Sequence, residues 1–143
     1  MNYTALGATV NLAARLEGLN KSYGTSIMVS SALKQRTGSR FCFRSVDRIS
    51  PKGFAEMFDI FELRSESASA DADERKFCRE WEAVYAALRD GPVAVAEVEL
   101  NLFLDRYPQD GVARYHRSIY DEAAKMSGYR KKSKATLLGP GRR

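Results

Sequence analysis

Two polar side chains at helical spacing are the first candidates for chemistry in this sequence. Apolar residues recur at a helical period from about Thr9 to Tyr23, and Asn11 and Arg15 share a different, polar face, four residues apart. A guanidinium is planar and permanently charged, so it suits paired hydrogen bonds to an oxyanion. Taken alone, an arginine on a helix is more often solvated or ion-paired. The pair by itself therefore does not identify a functional site.

Histidine and cysteine form no metal-binding or nucleophilic pattern. His116 is the single histidine and has no cysteine to share a metal, so we expect a structural role. Cys42 and Cys78 belong to no CxxC or Cys/His cluster, and we predict two reduced thiols. No metal ligands are therefore predicted in this chain.

The positive charge is concentrated at one end. The sequence has 143 residues and a net charge of +5, and residues 129–143 hold six basic residues and no acid. The rest of the chain carries 17 basic and 18 acidic residues and is nearly neutral. A nucleic-acid-binding domain spreads its basic residues over a folded face, so we predict a basic disordered tail at 129–143 and no nucleic-acid partner. No apolar run reaches about 18 residues, so we predict no membrane segment and a cytoplasmic chain, although a longer parent could be membrane-attached.

The elements that must position Asn11 and Arg15 alternate between strand and helix. Tyr3–Leu6 reads as a strand ended by Gly7, and Gly24 is placed to stop the following helix. A short strand at Ile27–Val29 and a brief helix to about Thr37 follow. Two alternating segments around Ser50-Pro51-Lys52-Gly53 then predict a β-hairpin, spanning residues 41–49 and 55–63. We expect Arg44, Asp47 and Arg48 on its solvent side or at its turn.

Composition changes after the hairpin. Residues 65–73 are rich in Ser, Ala and Asp and predict a linker. Residues 74–128 then contain helical patterns, the first of them with Phe77, Trp81 and Tyr85 as its core seam. The spacing resembles one helix-turn-helix unit of a tetratricopeptide repeat. A single unit cannot bury both faces, so it must pack on something.

Three segments in order resemble class III nucleotidyl cyclases, over roughly residues 2–64. The first is Asn2-Tyr3-Thr4-Ala5-Leu6-Gly7-Ala8-Thr9-Val10-Asn11-Leu12-Ala13-Ala14-Arg15-Leu16-Glu17. The second is Gly24-Thr25-Ser26-Ile27-Met28-Val29-Ser30, and the third is Lys52-Gly53. The resemblance implies an α+β fold, in which residues 1–64 form the C-terminal portion of a ferredoxin-like (βαββαβ-type) cyclase domain. An α-helical hairpin extension follows it.

The same resemblance implies roles for four residues. These enzymes drive the ribose 3′ oxygen of ATP into the α-phosphorus and expel pyrophosphate, so negative charge on phosphate oxygens must meet fixed donors. By analogy Arg15 stabilises that transition state and Asn11 positions the ribose. Lys52 binds the terminal phosphates, and Thr4 accepts a hydrogen bond from the adenine amine.

The resemblance also implies what this chain lacks. The family binds two divalent cations, Mg²⁺ or Mn²⁺, through two aspartates in the part of the domain that precedes the matched segment. We therefore expect a truncated adenylate cyclase domain, inactive alone, whose partners are ATP and either a second copy or a complementary cyclase subunit. The alternative hypothesis is a noncatalytic protein-binding or scaffold fragment that uses the C-terminal helices.

Overall fold

The computed structural model of the protein describes the backbone of residues 3–50 and 54–138 and the side chains of residues 12–50 and 54–127. The mixture of helices with an antiparallel sheet agrees with the predicted α+β class. The elements, in chain order, are helix α1 (Tyr3–Tyr23), strand β1 (Met28–Ser30), helix α2 (Ser31–Thr37), strands β2 (Phe41–Ile49) and β3 (Phe58–Glu66), a 3-10 helix (Ser67–Ser69), and helices α3 (Ala72–Asp90), α4 (Val93–Arg106) and α5 (Gly111–Leu138).

The strand expected at Tyr3–Leu6 is wrong, because the chain is helical without interruption from Tyr3 to Tyr23. A lone extended segment needs a neighbouring strand for its N–H and C=O groups, whereas a helix satisfies them internally. A glycine inside a helix costs only about 1 kcal/mol relative to alanine. Gly7 therefore does not end the helix, which runs for 21 residues.

The next elements follow the predictions. Helix α1 ends before Gly24, whose φ of +67° lies in the left-handed region that glycine adopts without strain. Strand β1 begins at Met28, and the Ser30 hydroxyl caps α2 by accepting a hydrogen bond from Leu33 N at 3.4 Å. The predicted end of this short helix at Thr37 is confirmed.

The three strands form one antiparallel sheet in the order β1-β3-β2. The predicted hairpin is confirmed as the pairing of β2 with β3, from Phe41↔Glu66 to Ile49↔Phe58. Strand β3 begins later than expected, at Phe58 rather than Ala55. It also continues to Glu66, into the segment expected to be a linker.

A β-bulge interrupts the middle of β2. Ser45 pairs with Phe61 and Asp47 with Ile60, so Val46 is an extra residue. The backbone groups at the bulge are satisfied by side chains from the helices. Trp81 Nε1 donates to Ser45 O, Ser45 N donates to Glu82 Oε1 at 2.7 Å, and His116 Nε2 lies 2.7 Å from Val46 O. The sheet thus offers fixed polar contacts to α3 and α5.

The segment between the hairpin and α3 is held by hydrogen bonds to the loop that precedes β2. Ser67 N donates to Arg40 O at 2.8 Å, and Ser67 Oγ donates to Ser39 O at 2.6 Å. Asp71 caps α3 by accepting a hydrogen bond from Glu74 N at 2.8 Å. The division of the chain at 65–73 into separate units stays a prediction.

One hydrophobic cluster joins the sheet to every long helix. Trp81, Leu100 and Phe103 are fully buried and belong to one cluster with residues from α1, the three strands and the start of α5. Its buried members are Leu16, Tyr23, Met28, Val46, Ile60, Phe77, Trp81, Val84, Leu100, Phe103, Val112 and Ala113. Helix α3 therefore packs on the sheet, whereas the likeness of the C-terminal helices to a tetratricopeptide unit stays a prediction.

The predicted placement of Arg44 on the solvent side of the hairpin is wrong. Its side chain is 1% exposed, and its guanidinium lies over the rings of Phe77 and Trp81, 5.1 and 5.0 Å from their centroids. Buried charges require partners. Glu62 and Asp110 supply them, whereas Arg48 is exposed as predicted.

Helix α5 runs to Leu138 and so covers residues 129–138 of the expected disordered tail. Residues 139–143 lie outside the described part of the chain. None of the helices that the structure describes combines the length and the apolar character needed to cross a membrane.

Candidate functional site

Helix α1 carries three of the four candidate site residues. At roughly 100° per residue, positions 4, 11 and 15 fall within about 40° of one another on the helix surface. The expectation that Asn11 and Arg15 share a face therefore agrees with the helix. Thr4 joins that face although it was expected on a strand, because the helix extends back to Tyr3.

The Arg15 side chain is exposed, so its guanidinium is not buried against an internal carboxylate. The face of Arg15 adjoins the buried stripe of the helix, which contains Leu16 and Tyr23 at 4% and 2% exposure. An exposed guanidinium fixed on a packed helix is available to an anionic ligand. The roles of Asn11, Arg15 and Thr4 remain predictions.

Lys52, the fourth candidate, lies outside the described residues. The chain on either side of it is held together, because Ser50 Oγ donates a hydrogen bond to Phe54 O at 3.1 Å. Whether the Lys52 amine converges on the face of Arg15 stays a prediction.

The C-terminal end of α1 is anchored by its last residue. The Tyr23 hydroxyl donates a hydrogen bond to Asp47 Oδ2 at 2.8 Å, and its ring lies 4.2 Å from the Tyr115 ring between centroids. Burial, followed by the hydrogen bond to Asp47, raises the pKa of Tyr23 above its ordinary value. The phenol is thus a neutral donor that ties α1 to strand β2.

A cavity of about 460 Å³ lies between α1, β1 and α2, on the other side of the buried stripe from Arg15. Arg15 is not among its lining residues. They are Leu12, Ala13, Leu16, Glu17, Asn20, Ser26, Ile27, Met28, Val29, Ser30, Ala32, Leu33 and Arg36. This groove is mainly apolar and has a different character from the polyphosphate site expected around Arg15.

The described residues do not fit a metal centre. Nowhere in residues 12–50 and 54–127 do three His, Cys, Asp or Glu side chains cluster closely enough to hold an ion. Two divalent cations of the kind that the cyclase resemblance implies would need ligands from another polypeptide segment.

His116 and the cysteines have surroundings typical of structural residues. The His116 ring packs beside Trp81 and Tyr85 and contacts the backbone of Val46. Cys42 and Cys78 are both free thiols, and burial raises the pKa of Cys78 to about 11. A higher pKa makes a thiol less reactive at neutral pH.

Sequence reasoning missed the residues that hold α1 in place. Gly111 and Tyr115, at the start of α5, contact the end of α1. The signal that was present is Asp110-Gly111, which reads as a turn before a helix. The sequence gives no sign that this turn lies against α1, because the two segments are far apart along the chain.

Comparisons with known proteins find relatives over part of the chain. A stretch of 63 residues is 43% identical to "Adenylate cyclase 1" of Rhizobium meliloti (strain 1021), covering 44% of this chain and 10% of that protein. A stretch of 66 residues is 38% identical to "Adenylate cyclase, terminal-differentiation specific" of Dictyostelium discoideum, with 44% and 3% covered. A stretch of 65 residues is 32% identical to "Adenylate cyclase" of Anabaena cylindrica, with 43% and 13% covered.

No family model matches the chain, and no solved structure matches it either. The chain spans about a tenth of the length of the Rhizobium protein and less of the Dictyostelium protein. The matched length is close to that of the predicted cyclase-like part, residues 1–64. Somewhat less than half of this chain is therefore related to adenylate cyclases.

Proposed function

We propose that this chain supplies the nucleotide-contacting half of an adenylate cyclase site, which converts ATP to cyclic AMP and pyrophosphate. The observation that carries the proposal is the 43% identity to an adenylate cyclase over 63 residues. Helix α1 supports it, because one face of that helix carries positions 4, 11 and 15, and the Arg15 side chain is exposed.

The proposed chemistry divides among the side chains by type. As the ribose 3′ oxygen forms its bond to the α-phosphorus, the bond to the pyrophosphate leaving group breaks and charge accumulates on phosphate oxygens. The Arg15 guanidinium neutralises that charge, and the Asn11 amide orients the ribose. Lys52 holds the terminal phosphates, and Thr4 accepts a hydrogen bond from the adenine amine.

The proposed site needs a second polypeptide segment. The described residues offer no metal-binding cluster, so the Mg²⁺ or Mn²⁺ ligands come from a complementary cyclase subunit that carries the metal-binding aspartates. This chain is then inactive alone and active only in the assembled site.

The test is complementation. The full chain is mixed with a cyclase segment that bears the metal-binding aspartates, and cyclic AMP is measured in Mg²⁺ or Mn²⁺. Arg15→Ala is expected to lower kcat by about 10²- to 10³-fold, because a donor to the transition state is lost. Lys21→Ala, an exposed charge on the same helix, is the matched control and leaves the rate unchanged. No cyclic AMP above that of the separate components would reject the proposal.

A protein-binding role is the second candidate, and α4 favours it. Val95, Val98 and Leu102 are each about half exposed and lie on one side of that helix, away from its buried residues. Three apolar side chains in a row on an exposed face suit contact with another protein. Arg15→Ala separates the two functions, because it abolishes cyclisation and leaves binding through α4 intact.

A further inference from the structure

The end of α1 and the start of α5 approach so closely that only glycine fits between them. A Cβ on Gly111 would lie 2.5 Å from Tyr23 O and 3.0 Å from Gly24 Cα, against an ordinary contact of 3.4–4 Å. The obstructing atoms are backbone and cannot rotate away. Any side chain at position 111 must therefore widen the contact between the end of α1 and the start of α5 by about 1 Å.

The start of α5 is itself fixed by a buried charge. Asp110 Oδ2 caps the helix by accepting a hydrogen bond from Ala113 N at 3.0 Å. The same carboxylate accepts two hydrogen bonds from Arg44, at 2.7 and 3.0 Å. Arg44 stands on strand β2 and is almost completely buried. The position of Arg44 therefore fixes Asp110, and with it the neighbouring Gly111.

These contacts connect strand β2, the start of α5 and the end of α1 to one another. Strand β2 holds Asp110 through Arg44, and the first turns of α5 hold Tyr23 through Gly111 and Tyr115. Strand β2 also holds Tyr23 directly, through Asp47. The start of α5 thus supports the end of α1 together with strand β2.

We propose that Asp110 and Gly111 are positioning residues, which set the angle at which α1 presents the face of Arg15. The proposal rests on the proposed function for the meaning of that face. Arg15 lies eight residues before Tyr23, or about 12 Å along the helix. A tilt of about 5° moves it by about 1 Å, and a displacement of that size can cost about 100-fold in rate.

The experiment uses the full chain and compares Gly111→Ala with two controls. Gly18→Ala adds the same methyl group to α1, where no atom beyond the neighbouring backbone of the helix lies within 4 Å. Ala86→Gly, at an exposed position inside α3, lowers stability by about 1 kcal/mol without touching α1. The first control tests the substitution type, and the second tests a general loss of stability.

Amide hydrogen exchange is the readout that does not depend on activity. We expect Gly111→Ala to speed exchange in residues 12–23 at least tenfold while the amides of β2 and β3 keep their protection. Gly18→Ala leaves α1 exchange unchanged or slower, because alanine favours a helix more than glycine does, and Ala86→Gly affects α3. Equal protection of α1 in Gly111→Ala and the unaltered chain would overturn the proposal. The proposal would also be overturned if Gly111→Ala stayed folded but lost protection equally in all helices and strands.

Complemented cyclase assays then test the link to the site. We expect Gly111→Ala to lower kcat tenfold or more, and both controls to stay within twofold. If the unaltered chain yields no cyclic AMP, the proposed function fails and the exchange data still decide the positioning role. If cyclic AMP forms at the same rate in Gly111→Ala, the function stands and the positioning role is rejected.

A second variant decides the matter if Gly111→Ala does not fold. Asp110→Asn keeps an oxygen that can cap α5 and removes the charge that binds Arg44. We expect faster exchange confined to the end of α1 and the start of α5. Unchanged exchange in both segments contradicts the proposal.

Discussion

Arg44 and Asp110, 66 residues apart in the chain, form a paired contact in which both terminal guanidinium nitrogens meet the two carboxylate oxygens, at 3.0 and 2.7 Å. A second carboxylate stands close by. Arg44 Nε lies 3.0 Å from Glu62 Oε1, an ion-pair distance at which the geometry does not make a hydrogen bond. The buried Arg44 side chain thus links strands β2 and β3 to the turn before α5.

Removing Arg44 is expected to cost much more than removing an exposed arginine of the same strand. Arg44→Ala leaves two carboxylates without their buried partner, and the expected loss is about 3–5 kcal/mol. Arg48→Ala breaks an ion pair with Asp59 whose side chains are 46% and 41% exposed and screened by solvent, so we expect a much smaller loss. Urea unfolding of both variants measures the difference, and equal midpoints would contradict the burial of Arg44.

Tyr23 is expected to make the fold sensitive to alkaline pH. Its pKa is raised in the folded state by burial and by the hydrogen bond to Asp47, so the native state holds the phenol proton after the unfolded chain has released it. The stabilisation is complete below the unfolded pKa of about 10 and declines by about 1.4 kcal/mol per pH unit above it.

Tyr23→Phe tests this dependence. The variant loses the hydrogen bond to Asp47 and is less stable at pH 8, but its stability falls less steeply between pH 10 and 11. Urea unfolding at several pH values gives both slopes. Parallel slopes for the two proteins would show that Tyr23 does not carry the alkaline dependence.

Cys78 is expected to react slowly in the folded protein. Its pKa of about 11 lies two units above the ordinary value of 9.0, so the reactive thiolate is about 100-fold rarer at pH 8. Alkylation by iodoacetamide, followed by mass spectrometry of the Cys78 peptide, should therefore be at least 100-fold slower in buffer than in urea. A rate that is the same in both conditions would mean that burial does not protect this thiol.

The hairpin was predictable because its signals are local. Alternating apolar residues on both sides of a Pro-Gly turn predict two paired strands whatever surrounds them. The burial of Arg44 was not predictable, because its partner Asp110 is distant in sequence. The bulge at Val46 also disturbs the alternation from which the solvent-facing side of the strand was inferred.

The candidate site was also predictable only where its signals are local. The four-residue spacing of Asn11 and Arg15 is enough to place them on one face once α1 is a helix. The strand expected at Tyr3–Leu6 failed because its residues allow either structure, and no strand among the described residues pairs with them. The role of Gly111 depends on a contact with Tyr23 O that spacing cannot reveal.

The bulge in β2 restricts how the helices can be arranged. Apolar contact has no preferred direction, so by itself it specifies the position of a helix less strictly than hydrogen bonds do. Hydrogen bonds do have direction, and three of them meet at adjacent residues of the bulge, from Trp81, Glu82 and His116. These helices have one registry on the sheet, and changes to the surrounding apolar residues should weaken that docking without creating a second one.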